Sequence, residues 1–595
     1  MGVLDLLWRH LLPDLFKADR GVGIAPDRAQ DVPHVGTHEI RRGEACPELV
    51  VPANARLGTG VTLHRRAQVP FEGPDLVLLD TEPQGVHDTD QLLCLGIAGS
   101  RGRPKRRARL LEAAGFHQVT RPLQLRRRRN SEPEPDQRRR DADPASTPCN
   151  HASRFHAVVL AFILGFAPLG GAAAAPDLPA PLAEGDFIAF DSEQAALGQL
   201  LFYDKILSGN QNISCGTCHH HDHASSDGLS LGIGEGGNGV GPLRTAGEGR
   251  DRIKRRIARN SPGLWNLGHK DIKVLFHDGR LSPSPLYGNG FNSPAEEWLP
   301  QGLNSLLAAQ VLLPLASPAE MAGDPGENEV AGAVIDRIDK GWPILAKRVR
   351  TIPEYGEKFV AAFDHVARPE DVTVVEIADA IAAFIGTEFR NHDSPFDRHL
   401  AGDATALEPA ERRGMELFFG EAGCSGCHSG PLLSDQSFHA LGLPAFGPGR
   451  KRMWDPMPRD VGRMGESDEL RDAYRFRTPF LRNVALTAPY GHNGAMPTLE
   501  EMVRHHLDPA ASRARWMPAA AALPPAPWLA DIDFVIQSDV LEMARQERAL
   551  DIALPPLTNE DVQELVAFLN ALTGETAGLR PLGRPENVPS GLPVD

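Results

Sequence analysis

Cysteine is scarce in this sequence, with 7 residues in a chain of 595. Four of the seven lie in two short and similar stretches, SCGTCH at residues 214–219 and GCSGCH at residues 423–428. This scarcity makes an accidental repeat improbable, because randomly placed cysteines would rarely produce two such motifs. The repeat therefore indicates one chemical role that the chain uses twice.

The sequence also has no surplus of positive charge, and its apolar run is shorter than a typical transmembrane helix. Its formal net charge is −16, and the residues that follow the arginine-rich first 150 are more acidic than the chain as a whole. Negative charge argues against nucleic-acid binding and suits a basic or dipolar redox partner. The apolar run at residues 157–169 is too short for a comfortable transmembrane helix, so no stable membrane span is expected.

The repeated motif has the spacing of covalent haem attachment. Two thiols three residues apart can form thioethers with the haem vinyl groups, and the histidine that follows can reach the iron. We predict two covalently bound haem c groups, held by Cys215, Cys218 and His219, and by Cys424, Cys427 and His428. A zinc site and a CxxC redox pair are the alternatives, and the histidine after each pair favours haem.

The first 175 residues differ in composition from the rest. Residues 1–150 contain arginine tracts, no sustained apolar period, and the remaining cysteines, Cys46, Cys94 and Cys149. Residues 151–175 have the layout of a signal peptide, with Arg154, a short apolar run and an alanine-rich cleavage site. Because a signal peptide belongs at a terminus, we interpret residues 1–150 as a spurious or disordered basic extension. A basic nucleic-acid-binding arm is the alternative. Export to the periplasm is expected, because haem is attached to c-type cytochromes outside the cytoplasm.

The region that follows is organised as two similar modules. An apolar helix precedes each motif, and Asp191 or Ser192 can cap the first of these helices. Amphipathic patterns at residues 372–389 and 559–574 predict a further helix in each module. The predicted fold is mainly α, with helices joined by long loops and little β-structure. It comprises two cytochrome c-like haem domains, at residues 176–400 and 401–595.

Six ordered sequence blocks resemble the bacterial dihaem cytochrome c peroxidase and MauG superfamily. They cover most of residues 190–575 and are LGQLLFYDKILSGNQNISCGTCH, RNSPGLWNLG, FHDGRL, the stretch from Gln310 through PAEM, GMELFFGEAGCSGCHSGP and RFRTPFLRNVALTAPYGHNGAMPTLEEMV. The resemblance implies a cytochrome-c peroxidase-like oxidoreductase. It implies that peroxide reacts at the N-terminal haem, and that the C-terminal haem takes in electrons and passes them across the domain interface.

The resemblance also implies a distal pocket at the first haem. Gln310 and Glu320 match the identity and spacing of the family's distal pair, and Glu320 is the expected general acid-base. Relatives that need prior reduction have a distal histidine where this chain has Glu235. The first haem is therefore expected to be open without reductive activation. The alternative is that a histidine swings in from the neighbouring cluster of His220, His221 and His223.

Two further departures concern electron transfer. Where relatives have a tryptophan before Asp-Gly-Arg, this chain has His277, so electrons either tunnel directly between the haems or use another aromatic residue such as Trp265. At the second haem, family spacing assigns the sixth iron ligand to His506. Bis-imidazole ligation would lower the potential relative to histidine and methionine. The alternative ligand is Met496 or Met502.

The resemblance implies further ligands and partners. Asn260, Thr487 and Pro489 match the positions that hold a calcium ion between the haems in the family. The expected partners are hydrogen peroxide, a small c-type cytochrome or cupredoxin as electron donor, and, as an option, a second copy of the chain. The favoured function is a periplasmic peroxidase. The alternatives are a MauG-like oxidase that modifies a protein or organic substrate and a dihaem electron-transfer cytochrome without catalysis.

Overall fold

The computed structural model describes residues 177–249, 251–452 and 454–595. The predicted signal peptide and the interpretation of residues 1–150 lie outside the described residues. The described part is mainly helical, and its strands form only two antiparallel pairs of two residues each. The predicted mainly α fold with little β-structure is confirmed. Within the described residues, no helix combines the length and the apolar character that a bilayer crossing requires.

The elements follow one another with long intervening loops. The α-helices are α1 (Ser192–Tyr203), α2 (Cys215–Cys218), α3 (Leu306–Leu315), α4 (Glu329–Asp336), α5 (Trp342–Arg350), α6 (Pro353–Ala362), α7 (Val374–Glu388), α8 (Pro395–Leu400), α9 (Pro409–Phe419), α10 (Met464–Ser467), α11 (Leu499–Leu507), α12 (Pro509–Arg515), α13 (Ala530–Asp533), α14 (Val540–Arg548) and α15 (Asn559–Asn570). The strands are β1 (Ser282–Pro283), β2 (Phe291–Asn292), β3 (Phe438–His439) and β4 (Phe476–Arg477), and β1 pairs with β2 and β3 with β4.

Three of the longer helices begin at residues whose side chains satisfy free backbone N–H groups. The carboxylate of Asp191 accepts hydrogen bonds from the first turn of α1, as predicted. Thr373 and Glu376 form a capping box at the start of α7, and Thr558 and Asp561 form another at the start of α15. These local interactions explain why the helix starts could be predicted from the sequence.

Each module contains the same kind of close crossing between two helices. Helix α1 crosses α7 at Gly198, where an added Cβ would lie 1.9 Å from the carbonyl oxygen of Ala380. Helix α9 crosses α15 at Gly414 in the same way, with 1.9 Å to the carbonyl oxygen of Glu564. Only glycine permits such an approach, because any Cβ would overlap the facing backbone. The repeated crossing supports the interpretation of the chain as a duplicated unit.

Each module has its own hydrophobic core. The first core is built mainly from α1, α3 and α5–α7, and the second from α8, α9 and α15. The end of the chain returns to the first module, where Ala577 and Val588 are buried and Leu582, Leu592 and Val594 pack at the edge. The sequence patterns did not predict this return.

Candidate functional site

Both CxxCH motifs line one predominantly apolar cavity of about 520 Å³. Helix α2 carries the first pair of cysteines, and a short turn after α9 carries the second. All six predicted haem-binding residues, Cys215, Cys218, His219, Cys424, Cys427 and His428, border this cavity. A large apolar cavity with one histidine beside each pair of thiols fits two haem groups.

The first motif presents neutral thiols and an oriented imidazole. Burial raises the pKa of Cys215 and of Cys218 to about 12, the opposite of the lowered pKa that activates redox cysteines. The Nδ1 atom of His219 lies 2.9 Å from the carbonyl oxygen of Ser225, and burial lowers the pKa of this imidazole. Because Nδ1–H donates to that carbonyl, Nε2 is left with a lone pair that can bind iron.

A glutamine and a glutamate from separate elements border the same cavity. Gln310 lies on α3, and Glu320 lies on the π-helical turn Pro318–Ala322. The Oε1 atom of Gln310 is buried without a hydrogen-bond partner, and it therefore fits a small polar ligand in the cavity. Burial raises the pKa of Glu320, and the positive charge of Arg280 opposes this shift. The structure thus brings the predicted pair to the cavity that His219 borders.

Glu235 borders a second, polar cavity of about 320 Å³ and is not among the residues around the large cavity. Its Oε1 atom accepts hydrogen bonds from the side-chain amides of Asn210 and Asn212, at 2.6 and 2.7 Å. The carboxylate is therefore held by these two asparagines. It does not occupy the position of an iron ligand in the described structure.

The neighbouring histidines are engaged elsewhere. His220 contacts the backbone of Asp222 and Asp595 through its two nitrogen atoms. His221 contacts Tyr203 and Glu388. Neither residue borders the large cavity, and nor does His223. The alternative in which one of them blocks the first haem has no support in this arrangement.

Two histidines face each other beside the second motif. The rings of His428 and His506 have centroids 6.4 Å apart, and both residues border the cavity. The Nδ1 atom of each ring is held by a backbone carbonyl, that of Leu433 at 3.0 Å and that of Met502 at 2.8 Å. This ring separation leaves room for one metal ion bound by a nitrogen of each ring, because metal–nitrogen bonds are about 2 Å long. The pair can therefore hold one iron between them.

The neighbouring His505 and the alternative ligands Met496 and Met502 differ in their positions relative to the cavity. His505 is buried, and both of its ring nitrogens already have partners, the hydroxyl of Ser512 and the carbonyl of Leu441. Met496 is buried in a separate apolar cluster and does not border the cavity. Met502 does border the cavity, one helical turn before His506.

His277 and Trp265 both border the cavity that joins the two motifs. The Nε2 atom of His277 lies 3.2 Å from the carbonyl oxygen of Asn260, and burial lowers the pKa of this imidazole to about 4. His277 is therefore neutral at physiological pH. The indole N–H of Trp265 donates to the carbonyl of Ala224 at 3.2 Å.

The three predicted calcium ligands also border the large cavity. The side-chain amide nitrogen of Asn260 donates to the carbonyl of Leu229 at 2.8 Å, which leaves the amide oxygen available. Thr487 and Pro489 follow each other closely in the loop before α11. Oxygen donors of this kind suit calcium.

The described residues do not bring together the ligands that a structural zinc site at either motif would need. Among the described residues, only Cys427, Asp435 and His439 come close enough together to share a metal ion. This set contains one cysteine of one motif, whereas structural zinc sites use four cysteine or histidine ligands.

Sequence reasoning missed Asp227 as a residue of the cavity wall. It is fully buried, its Oδ2 atom has no hydrogen-bond partner, and burial raises its pKa to about 7. The only local signal is an aspartate in an otherwise small and polar stretch, SSDGLS. Such a stretch is typical of exposed loops, so burial could not be predicted from it.

Comparisons with known proteins agree with this geometry. A family model described as di-haem cytochrome c peroxidase matches residues 192–405. The cytochrome c peroxidase Ccp of Escherichia coli is 31% identical over 317 residues, which cover 53% of this chain and 53% of that protein. The methylamine utilization protein MauG of Methylorubrum extorquens is 28% identical over 317 residues, which cover 53% of this chain and 69% of that protein.

A third relative, the cytochrome c551 peroxidase of Pseudomonas aeruginosa, is 30% identical over 312 residues, which cover 52% of this chain and 70% of that protein. The chain spans about half the length of the Escherichia coli protein and a larger share of the other two. The chain belongs to the di-haem cytochrome c peroxidase family.

Proposed function

We propose that this chain is a periplasmic peroxidase that reduces hydrogen peroxide to water at its first haem. The electrons would come from a small c-type cytochrome or cupredoxin and pass through the second haem. The observation that carries the proposal is that Gln310, Glu320 and His219 border the same cavity. A chain that only transferred electrons would not need this acid-base pair.

Haem c, when bound, supplies the iron that binds peroxide and exchanges electrons. His219 would hold the iron, because its Nδ1–H is anchored to the carbonyl of Ser225. Glu320 would take the proton from one peroxide oxygen and deliver it to the other. Its raised pKa suits both steps, since a group with a pKa nearer the working pH accepts and donates protons more readily. Gln310 would orient the peroxide through its unpartnered amide oxygen.

The first haem would be open to peroxide in the fully oxidised protein. Glu235 supports this point, because Asn210 and Asn212 hold its carboxylate in a separate cavity. A carboxylate is also a poorer ligand for this haem than an imidazole. No reductive step would then be needed to clear the distal side.

The second haem would have two imidazole ligands, His428 and His506. The facing rings and their anchored Nδ1 atoms support this assignment. Such ligation gives a lower potential than histidine and methionine, because thioether sulfur stabilises ferrous iron. The electron donor would therefore need a correspondingly low potential.

Calcium would bind between the two motifs. Asn260, Thr487 and Pro489 border the same cavity, and the amide oxygen of Asn260 is free of the contact that its nitrogen makes. A hard cation with oxygen ligands would join loops of the two modules.

A MauG-like oxidase is the second candidate. The relative MauG and the expected open first haem favour it. His277 also favours it, because a neutral imidazole is a poorer electron relay than the tryptophan found in relatives. Slow transfer between the haems would leave oxidising equivalents available for an external substrate.

The deciding experiment is steady-state peroxide consumption by the haem-loaded protein, isolated fully oxidised, with a reduced small c-type cytochrome as donor. Immediate turnover without prior reduction is the expected result. Turnover that appears only after reduction would contradict the open first haem. Absence of turnover, together with oxidation of an added organic substrate by peroxide, would favour the MauG-like alternative.

A further inference from the structure

Tyr203 lies directly against the first haem-attachment motif. It ends α1 and is fully buried. A Cβ added to Gly216 would lie 2.3 Å from Cε1 of Tyr203, so the phenol ring packs on the backbone between Cys215 and Cys218. Tyr203 therefore lies beside the segment whose two cysteines would carry the first haem.

The hydroxyl of Tyr203 has a histidine as its partner. It is hydrogen-bonded to Nδ1 of His221, and Nε2 of the same ring lies 2.7 Å from Oε1 of Glu388. The Glu388 carboxylate also accepts backbone N–H groups from Leu582 and Gly583, at 2.8 and 2.9 Å. Because Glu388 acts as the acceptor of all these bonds, Nε2 of His221 carries the hydrogen. Nδ1 therefore presents its lone pair to Tyr203, and the phenol donates.

The three side chains form a sealed Tyr–His–Glu relay, by which we mean Tyr203, His221 and Glu388. The side chains of His221 and Glu388 are 7% and 0% exposed, so solvent does not compete for these hydrogen bonds. The rings of Phe384 and Phe389 lie 6.1 and 5.4 Å from the His221 ring and form part of the wall. Burial raises the pKa of Tyr203, so the phenol keeps its proton in the resting protein.

We propose that Tyr203 is a redox-active residue that donates one electron to the peroxide-oxidised first haem while its hydroxyl proton passes to Nδ1 of His221. The inference rests on the proposed peroxidase function. The carboxylate of Glu388 holds the imidazole in place by accepting its Nε2–H. The cluster of histidines after the first motif thereby acquires a role that is distinct from iron ligation.

The step balances in electrons and protons. Reduction of one hydrogen peroxide to two waters consumes two electrons and two protons, and Tyr203 supplies one of the electrons. The phenol O–H bond breaks, an N–H bond forms on His221, and a neutral tyrosyl radical remains. An electron arriving from the donor protein through the second haem reduces the radical, and the proton returns from His221. The relay thus stores one oxidising equivalent when the donor is scarce.

Tyr355 provides a matched control within the same module. It is fully buried like Tyr203, and its hydroxyl donates to Oδ2 of Asp204 at 2.7 Å. In the described structure its hydroxyl has no histidine partner, and Tyr355, like Tyr203, does not border the cavity. Replacing it with phenylalanine removes the same hydroxyl group from a comparable environment.

The test mixes the oxidised, haem-loaded protein with hydrogen peroxide in the absence of a donor, and follows the haem absorbance together with freeze-quench EPR spectra. We expect a tyrosyl signal whose hyperfine structure collapses when the protein contains ring-deuterated tyrosine. The signal should be lost in Tyr203→Phe and kept in Tyr355→Phe. His221→Gln, which retains Tyr203 but lacks the base, should also lose it. Haem content and the resting haem spectrum serve as the check that each variant has folded.

The outcomes separate the inference from the function on which it rests. A tyrosyl signal that survives in Tyr203→Phe overturns the inference. So does a haem spectrum that responds to peroxide in the unaltered protein without any tyrosyl signal. A haem spectrum that does not respond to peroxide overturns the proposed function, and the inference falls with it.

Discussion

Arg259 in the first module and Asp460 in the second form an ion pair with two hydrogen bonds, both of 2.8 Å. Their side chains are only 8% and 10% exposed, so the pair is shielded from water at the border of the large cavity. This planar contact joins loops that carry no regular secondary structure, and it links the two modules at the border of the cavity that both motifs share.

Replacing Asp460 with asparagine should destabilise the protein by about 1.5–3 kcal/mol, because the buried guanidinium of Arg259 loses one of its two carboxylate partners and keeps only Asp278. The measurement is the free energy of unfolding from urea denaturation of the haem-loaded protein. Asp336→Asn is the control, since Asp336 pairs with Lys340 on an exposed helix surface. That change should leave the free energy of unfolding nearly unchanged, because water screens exposed ion pairs. Equal losses in the two variants would contradict the prediction.

The protein should lose stability in acid because the two buried carboxyl groups next to Arg259, those of Asp278 and Asp460, must be ionised to pair with it. Arginines lower the pKa of Asp278 and of Asp460 below the ordinary value, through Arg259, Arg280 and Arg450 in the first case and Arg259 in the second. A carboxyl group whose pKa is lowered by folding contributes stability above its unfolded pKa of about 3.9. That contribution is lost as the pH falls through the folded pKa. The melting temperature should therefore drop steeply below about pH 4, and less steeply in Asp460→Asn.

Glu320→Gln should lower peroxide turnover by about two or more orders of magnitude, the scale of general acid-base catalysis. The amide has nearly the same shape, so haem content and the resting spectrum should stay unchanged. Glu354→Gln is the control, because Glu354 is an exposed residue of α6. Turnover that is unchanged in Glu320→Gln would remove this residue from the mechanism.

The pH dependence of kcat/KM offers a second check on Glu320. As a base it must be ionised, and burial raises its pKa above the ordinary value of about 4.3. The acid limb of the profile should therefore lie above that pH. The limb should disappear in Glu320→Gln, whose residual activity has no carboxyl group to titrate.

His506→Met should raise the reduction potential of the second haem, because a thioether ligand favours ferrous iron over a second imidazole. Potentiometric titration followed by absorbance measures the shift. His505→Gln is the matched control on the same helix, since both nitrogens of His505 bind protein groups. The control should lower stability and leave the potential unchanged. An unaltered potential in His506→Met would show that another residue ligates the iron.

Calcium should raise the melting temperature of the calcium-free protein, because an ion that binds only the folded state stabilises it by mass action. At a calcium concentration of about 100 times Kd, the stabilisation should reach about 2.7 kcal/mol. Asn260→Ala should reduce this calcium-dependent increment. Asn212→Ala should keep it, since Asn212 is exposed and borders only the polar cavity. An increment of the same size in Asn260→Ala would rule out that residue as a ligand.

Local features were predicted well. The capped start of α1, the helices at residues 374–388 and 559–570, and the placement of both motifs beside apolar helices all agree with the structure. Each depends on residues a few positions apart, so the relevant interactions can be seen in a short stretch of sequence. The distal pair Gln310 and Glu320 was placed only through family resemblance. Its spacing alone does not distinguish a pocket residue from an exposed helix start.

The two haem-attachment motifs and the helices that precede them can be predicted from the chain alone, because thiol spacing, capping and apolar periodicity are local properties. Which of these groups lie next to each other depends on the tertiary packing. Tyr203 and His221 are 18 positions apart, and His221 and Glu388 are 167 apart. They come together because Gly198 lets α1 and α7 cross at close range, which brings the ends of both helices to the first motif. Hydrogen bonds between such distant residues depend on the packing of whole helices, and no short pattern in the chain encodes them.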